Sequence, residues 1–196
     1  RLALEDISFL GIAFQAYGNS IFNSEFFFNA IIEPLATSLP KDKTLGLRLC
    51  KGAYFSSEKK ILRDQKKIRE RYLALASAMM KLSLVNAKYP ERGNLFLEFA
   101  THDLILIREL KNMLQTLGLP KNKFRFAMLY GRQQSLASHL FAEGYNIAIY
   151  LPFGPDQIPY ICRRLQENRF NLFLPFRNEG VYHVCDTWPK VCSLNT

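Results

Sequence analysis

Short apolar runs alternate with longer amphipathic segments along most of this chain. Each run is almost continuously apolar, which is typical of parallel strands that are covered on both faces. The predicted strands are 11–17, 45–50, 95–100, 124–129 and 147–151, with 171–176 as a sixth strand or an apolar tail. The predicted helices are 21–33, 58–87, 103–117, 133–142 and 156–167. This strict alternation predicts parallel strands joined by crossover helices.

Two α/β architectures fit this alternation, an incomplete (β/α) barrel and an open sheet. A complete barrel has eight strands and about 250 residues, whereas this chain has 196 residues. No GxGxxG motif is present in the chain, so a Rossmann dinucleotide fold receives little support. We therefore expect a partial barrel or an open sheet.

The stretch 45–58, LGLRLCKGAYFSSE, carries two cations at the end of an apolar strand. Arg48 and Lys51 would seldom occupy a buried strand unless they faced a ligand. Gly52 and Ala53 at the strand exit would let that ligand approach the backbone closely. The alternative is two solvated cations ahead of a helix that starts at 58.

Polar residues recur toward the carboxyl ends of four predicted strands. They are Gln15, Arg48 with Lys51, Thr101 with His102, and Tyr150. In a barrel this is the face where active sites are built. Four strands with the same feature predict one shared site, although strand ends can also be polar for no functional reason.

A pair of arginines lies on the predicted helix that follows the fifth strand. Arg163 or Arg164 shares a helix face with Tyr160, and Glu167 lies four residues after Arg163. Paired arginines suit a clamp on a carboxylate or phosphate. A solvated helix with an ordinary ion pair explains the same residues.

Net charge is +9, and the segment 41–92 accounts for all of it. A basic block can bind nucleic acid or an anionic membrane surface. Here much of it lies on the helix 58–87, which also carries an apolar stripe from Ile61 to Met79. We therefore expect the basic face to be solvated and nucleic acid not to be a partner.

The four cysteines, Cys50, Cys162, Cys185 and Cys192, form no CxxC pair. Reduced thiols in the cytosol are the expected state. His183, Cys185 and Cys192 are too poorly spaced to predict a metal site, so no metal is expected.

Six motifs together resemble the FAD-dependent proline dehydrogenases, and more the stand-alone bacterial type than the barrel of the long bifunctional proteins. The matching pieces, in family order, are FQAY at 14–17, LRLCKGAY at 47–54, ATHD at 100–103, MLYG at 128–131, YLPFG at 150–154 and YICRRLQEN at 160–168. The run NLFL at 171–174 also resembles the final segment of the family.

The resemblance implies a distorted TIM-like (β/α)8 barrel, here covering 1–180 and lacking the first two strands, followed by a tail at 181–196. It implies oxidation of L-proline to 1-pyrroline-5-carboxylate, the first step of proline degradation. The hydride acceptor would be N5 of FAD, and a quinone would accept the electrons. The expected location is the cytoplasm, with peripheral contact at the inner membrane left open.

The resemblance also assigns residues. The implied catalytic residues are Arg48, beside flavin N5, and Tyr150. The implied FAD-binding residues are Gln15, Arg48, Lys51, Gly52, Ala53, Thr101 and His102. The implied substrate residues are Arg163 and Arg164 on the proline carboxylate, with Tyr160, Leu129 and Tyr150 on the pyrrolidine ring. Closure of the helix that contains Arg163 would exclude water from hydride transfer.

The chain departs from the family pattern in three places. The family has two earlier strands, which bring a substrate-binding lysine and a functionally important aspartate, and upstream sequence or another chain would have to supply them. Ala127 stands where the family usually has glutamine, and 181–196 matches nothing expected. Two alternatives therefore stay open: a catalytically silent remnant that keeps the fold and flavin binding, and another barrel that binds an anionic substrate without flavin.

Overall fold

The protein is described here by a computed structural model that covers residues 8–17, 25–52, 62 and 64–151. The strands are β1 (Phe9–Gln15), β2 (Thr44–Cys50), β3 (Asn94–Ala100), β4 (Phe124–Leu129) and β5 (Ile147–Tyr150). The helices are α1 (Glu25–Phe27), a π-helical turn (Phe28–Ile32), α2 (Glu33–Thr37), α3 (Gln65–Asn86), α4 (Leu104–Leu117), a 3₁₀ turn (Lys121–Lys123) and α5 (Gln134–Ala142).

The five described strands form one parallel sheet in the order β1-β2-β3-β4-β5. Right-handed crossovers between sequential parallel strands place the connecting helices on one face of such a sheet. The α/β prediction is confirmed, and the sheet has the strand order of part of a TIM-like barrel. The predicted sixth strand, the last helix and the tail at 181–196 lie outside the described residues.

Alternate side chains of each strand face the helices. On β2 these are the fully buried Leu45, Leu47 and Leu49, and on β3 they include Leu97 and Phe99. They pack with the inner side of the connecting helices in one core. The opposite face, against which no helix of the described residues packs, carries the residues between them and is called here the helix-free face.

Helix α3 begins later than the sequence predicted. Leu62 and Asp64 are not helical, and the Asp64 carboxylate accepts hydrogen bonds from the backbone N–H groups of Lys66 and Lys67. The prediction of one helix from 58 onward is therefore wrong. Asp64 is the better start because its side chain satisfies N–H groups that have no partner within the helix.

The predicted apolar stripe of this helix is confirmed for its described members. Ile68, Tyr72, Leu75 and Met79 are all buried against the sheet and α4, whereas Ile61 lies outside the described residues. Nowhere in 8–17, 25–52, 62 and 64–151 is a helix both long enough and apolar enough to cross a membrane.

The first helical segment changes from π-helical to α-helical geometry just before Pro34. The π-helical turn (Phe28–Ile32) leads into α2, where Pro34 occupies the first turn. Proline has no N–H, so the carbonyl one turn earlier loses its usual donor. The segment runs to Thr37, four residues beyond the predicted end.

Helix α4 begins and ends as the sequence predicted. The Asp103 carboxylate accepts hydrogen bonds from the N–H groups of Ile105 and Leu106, and Gly118 ends the helix in the left-handed conformation. This cap fixes Asp103 at the carboxyl end of β3, where the candidate site begins.

Candidate functional site

A buried carboxylate, Glu98, lies at the centre of the helix-free face. The strand register places Glu98 of β3 level with Arg48 of β2 and Arg125 of β4. The Glu98 side chain is only 6% exposed, whereas each arginine side chain is 40% exposed. Neighbouring parallel strands thus arrange three charges in a row, with the anion in the middle.

Both oxygens of Glu98 are engaged. Arg48 Nε pairs with Oε1, and Arg125 Nε lies 2.5 Å from Oε2. The hydroxyl of Tyr150, on β5, donates a hydrogen bond of 2.9 Å to Oε1. Burial of a carboxylate is costly unless it is paired and hydrogen-bonded, and these three partners supply that compensation.

Arg48 is also held by the ring of Tyr150. Its Cζ lies 4.4 Å from the ring centroid, a cation–π distance. Glu98 and Tyr150 therefore fix Arg48 from two sides while part of its side chain stays accessible. The structure brings the two predicted catalytic residues, Arg48 and Tyr150, into direct contact.

Sequence reasoning missed Glu98 and Arg125. Each interrupts an apolar strand, LFLEFA and FRFAML, at a position whose side chain points away from the helices. A charge of opposite sign inside two adjacent strands was the available indication. The pairing became visible only once the register was known.

A second ion-pair cluster lies where β2 and β3 end. Lys51 Nζ lies 2.9 Å from Asp103 Oδ2, and Arg69 Nε lies 2.8 Å from the same oxygen. Lys51 also donates to the Gln65 side chain at 3.1 Å. Burial would raise the pKa of Asp103, but the hydrogen bonds and charges of Arg69 and Lys51 lower it to about 2. Lys51 thus ties the end of β2 to the starts of α3 and α4.

Thr101 and His102 both make hydrogen bonds that order the strand ends. The buried Thr101 Oγ1 accepts from the N–H of Asp103 at 3.1 Å. His102 Nε2 accepts from the N–H of Leu129 at 2.9 Å. Because Nε2 is an acceptor there, the ring carries its proton on Nδ1 when neutral. His102 thereby links the ends of β3 and β4.

Gly52 has a structural reason of its own to be glycine. Its φ is 142°, and a Cβ at this position would lie 1.2 Å from Cδ1 of Tyr17. The Tyr17 ring therefore fills the position that a side chain at residue 52 would need. Gln15 lies at the end of β1, level with Cys50 of β2. The cofactor roles of Gly52 and Gln15 stay predictions.

Cys50 shares the helix-free face with Arg48. Burial raises the pKa of its thiol to about 11, opposed by the positive charge of Arg48 and reinforced by Glu98. The thiol is therefore protonated at neutral pH and is a poor nucleophile.

Several predicted site residues lie outside the described residues. They are Ala53, Tyr160, Arg163 and Arg164, together with Glu167 and the cysteines and histidine of the tail. Leu129 is described and is level with Tyr150 on the neighbouring strand. Within the described part of the chain, no three histidine, cysteine, aspartate or glutamate side chains are grouped to hold a metal ion.

Comparison with known proteins decides the family. The family model described as proline dehydrogenase matches residues 1–173. The chain belongs to the proline dehydrogenase family. The recognition made from the six motifs is thereby confirmed.

Two curated bacterial family members show the extent of the match. Proline dehydrogenase 2 of Bacillus subtilis (strain 168) is 35% identical over 131 residues, which are 67% of this chain and 40% of that protein. Proline dehydrogenase of Deinococcus radiodurans is 33% identical over 125 residues, 64% of this chain and 37% of that protein. The chain thus spans about two fifths of the length of these relatives.

A solved structure shares the fold. The crystal structure of proline utilization A from Bdellovibrio bacteriovorus, inactivated by N-propargylglycine, superposes with a TM-score of 0.66 at 23% identity. The superposition covers 81% of this chain and 16% of that one. It supports the partial TIM-like barrel.

Proposed function

We propose that this chain is part of an enzyme that oxidises L-proline to 1-pyrroline-5-carboxylate, with bound FAD supplying the hydride acceptor at N5. Family membership is the general ground for the proposal. The observation that carries it is the arrangement of Arg48, a cation that Glu98 and Tyr150 hold on the helix-free face in the carboxyl-terminal half of its strand.

A fixed cation is suited to a flavin site. Reduced flavin carries negative charge, and a positive group near N1 or N5 tunes its electronics. A guanidinium is the side-chain cation best suited to such a role, because arginine is charged at any physiological pH. The Arg48 side chain is 40% exposed, so a bound molecule could reach it.

The residues beside Arg48 fit a flat ring system. One register row of the helix-free face consists of Cys50, Ala100, Ala127 and Ala148, with Gln15 at its β1 end. Four small side chains in a row make a nearly flat surface across four strands. The Gln15 amide can donate and accept hydrogen bonds at one end of that surface. Gln15 and Arg48 are therefore the residues we assign to the isoalloxazine.

The alanine at 127 shapes this row. It is 2% exposed and is level with Ala100 and Ala148. The glutamine expected from the family would have added a polar side chain there. We infer that flavin hydrogen bonding in this chain depends more heavily on Gln15.

The remaining assignments follow the resemblance. Lys51, Gly52, Ala53, Thr101 and His102 would line the rest of the cofactor site. Leu129, Tyr150 and Tyr160 would pack on the substrate ring, and Arg163 and Arg164 would bind its carboxylate through bidentate hydrogen bonds. A quinone acceptor, the cytoplasmic location and peripheral contact with the membrane belong to the same proposal.

The test uses the purified full-length protein. We expect a yellow protein with flavin absorbance. L-Proline under anaerobic conditions should bleach that absorbance. L-Alanine should not bleach it, because it cannot form the cyclic imine. A protein that stays colourless after FAD is added would overturn the flavin assignment. A yellow protein that L-proline fails to bleach would identify a silent remnant instead.

A matched pair of variants tests the role of Arg48. Arg48→Met should reduce bleaching by L-proline at least tenfold, as expected for the loss of a preorganised cation, about 1.4 kcal/mol or more. Arg92→Met is the control, because Arg92 also lies over a tyrosine ring, that of Tyr89. Equal loss in both variants would contradict the assignment.

A further inference from the structure

We propose that Glu98 is the positioning residue of the flavin side of the site and that Arg125 balances its charge. This inference rests on the proposed function, since it assigns the residues that hold and tune Arg48. It concerns two residues that the family motifs in this sequence do not mark.

The geometry gives Glu98 control over Arg48. Glu98 Oε1 accepts from both Arg48 and Tyr150, so one oxygen fixes the cation and the ring beneath it. The carboxylate itself cannot shift freely, because its side chain is 6% exposed and Oε2 is held by Arg125. Arg48 is thereby held by a buried carboxylate whose own position is fixed within the sheet.

The charge count gives Arg125 a separate role. Arg48, Glu98 and Arg125 together carry a formal charge of +1. Loss of the Glu98 charge leaves +2, and loss of the Arg125 charge leaves zero. Positive charge favours the reduced, anionic flavin, so the two losses should move the flavin potential in opposite directions. A merely structural role would not produce opposite signs.

Glu98→Gln is expected to fold. The two arginines whose ion-pair partner it removes have side chains that are each 40% exposed, so water can solvate them. Glu98→Asp supplies a second variant, which keeps the charge but withdraws the carboxylate from Arg48 and Arg125. Comparison of the two variants thus separates the effect of the Glu98 charge from the effect of its position.

The first experiment measures the midpoint potential of the FAD-loaded protein by dye equilibration. We expect Glu98→Gln to raise the potential, Arg125→Met to lower it, and Glu98→Asp to stay near wild type while its flavin reduction by L-proline slows about tenfold. Glu143→Gln is the matched control, because Glu143 pairs with Lys111 away from this site. Shifts of the same sign in Glu98→Gln and Arg125→Met would overturn the inference.

The second experiment needs neither FAD nor turnover. Phenylglyoxal modification of Arg48, read by peptide mass spectrometry, should be several-fold faster in Glu98→Gln and in Glu98→Asp than in wild type or Glu143→Gln. Unchanged reactivity of Arg48 would overturn the positioning role.

If wild type binds FAD and is bleached by L-proline while the differences in Arg48 reactivity and in flavin potential are absent, the inference fails and the proposed function stands. If wild type binds no FAD, the proposed function fails, and the flavin part of this inference fails with it.

Discussion

Arg48 and Tyr150 lie on strands that are three apart in the sheet, yet the Arg48 guanidinium lies 4.4 Å from the Tyr150 ring centroid. Three strand spacings alone would separate the two strands by about 14 Å in a flat sheet, and Tyr150 also lies four residues further along than the row of Arg48, Glu98 and Arg125. The two side chains meet by extending toward each other over β3, where Glu98 accepts hydrogen bonds from both. The contact links β2 to β5 across the helix-free face.

This contact makes the hydroxyl of Tyr150 a stabilising group. We expect Tyr150→Phe to lower the free energy of unfolding by about 1 to 2 kcal/mol, because a hydrogen bond to a buried carboxylate is lost while the ring remains under Arg48. Denaturant titration measures the change. Tyr89→Phe is the control, since Tyr89 is an exposed ring beneath Arg92, and it should change stability by less than about 0.5 kcal/mol. Equal changes would contradict the role of the hydroxyl.

Gly52→Ala should destabilise the fold severely. The new Cβ would overlap the Tyr17 ring, and φ at 142° is unfavourable for any side chain. We expect a loss of about 3 kcal/mol or more in the free energy of unfolding. Gly118→Ala is the control, because φ is 66° there but its Cβ would meet nothing within 4 Å; its cost should be about 1 kcal/mol. Similar losses at both positions would refute the packing explanation.

Asp103 should make stability depend on acidic pH. Its pKa falls from the ordinary 3.8 to about 2 in the folded protein, so folding favours the charged form. The stabilisation is fully present above about pH 4 and is lost as the pH falls through 2. Solvent screening limits it to about 1 to 2 kcal/mol.

Asp103→Asn isolates this effect, because asparagine can still cap α4. The stability difference between wild type and Asp103→Asn should be largest near neutral pH and shrink toward pH 2, as measured by urea titration at several pH values. Asp42→Asn is the control, because it removes a carboxylate that is 73% exposed beside Lys43, and it should show a much weaker dependence. A difference that is constant with pH would disprove the ion-pair contribution.

Cys50 should resist alkylation in the native protein. The difference between its pKa of about 11 and the ordinary 9.0 lowers the thiolate fraction at neutral pH about a hundredfold. Iodoacetamide labelling followed by mass spectrometry should therefore modify Cys50 at least about a hundredfold more slowly than in urea-unfolded protein. Rapid native labelling would mean that the thiol is accessible and ionised.

The proposed function predicts that Arg164→Met raises the apparent KM for L-proline by about 30-fold or more, which corresponds to about 2 kcal/mol for the loss of a charge-assisted contact with the substrate carboxylate. The Kd for FAD should change far less, and steady-state kinetics with flavin titration measure both. Arg108→Met removes an exposed arginine of α4 and serves as control. Equal losses of substrate and FAD binding would refute the clamp.

Much of the architecture could be predicted because its causes are local. The five described strands follow from short apolar runs, and α4 follows from its cap at Asp103 and its stop at Gly118. The start of α3 was predicted wrongly because Ser56 and Ser57, which precede the predicted start at 58, are helix-capping residue types just as Asp64 is. The local pattern alone does not rank these positions.

The candidate site was predicted only in part. Arg48 and Tyr150 were identified as single polar residues at strand ends, and the structure adds their contact. Glu98 and Arg125 were missed because opposite charges in two apolar strands indicate that a pair could form, but not that the two side chains lie level. That alignment is set by the register of β2, β3 and β4.

The sequence by itself determined the parallel α/β framework, the family, and the end of the sheet where polar residues gather. These depend on periodicity, caps and motifs, which neighbouring residues encode. Only the tertiary structure decided that Glu98 holds Arg48 and Tyr150, that Asp103 holds Lys51, and that Tyr17 fills the space beside Gly52. Each of these contacts joins residues distant in sequence, and such contacts are fixed by strand register and packing.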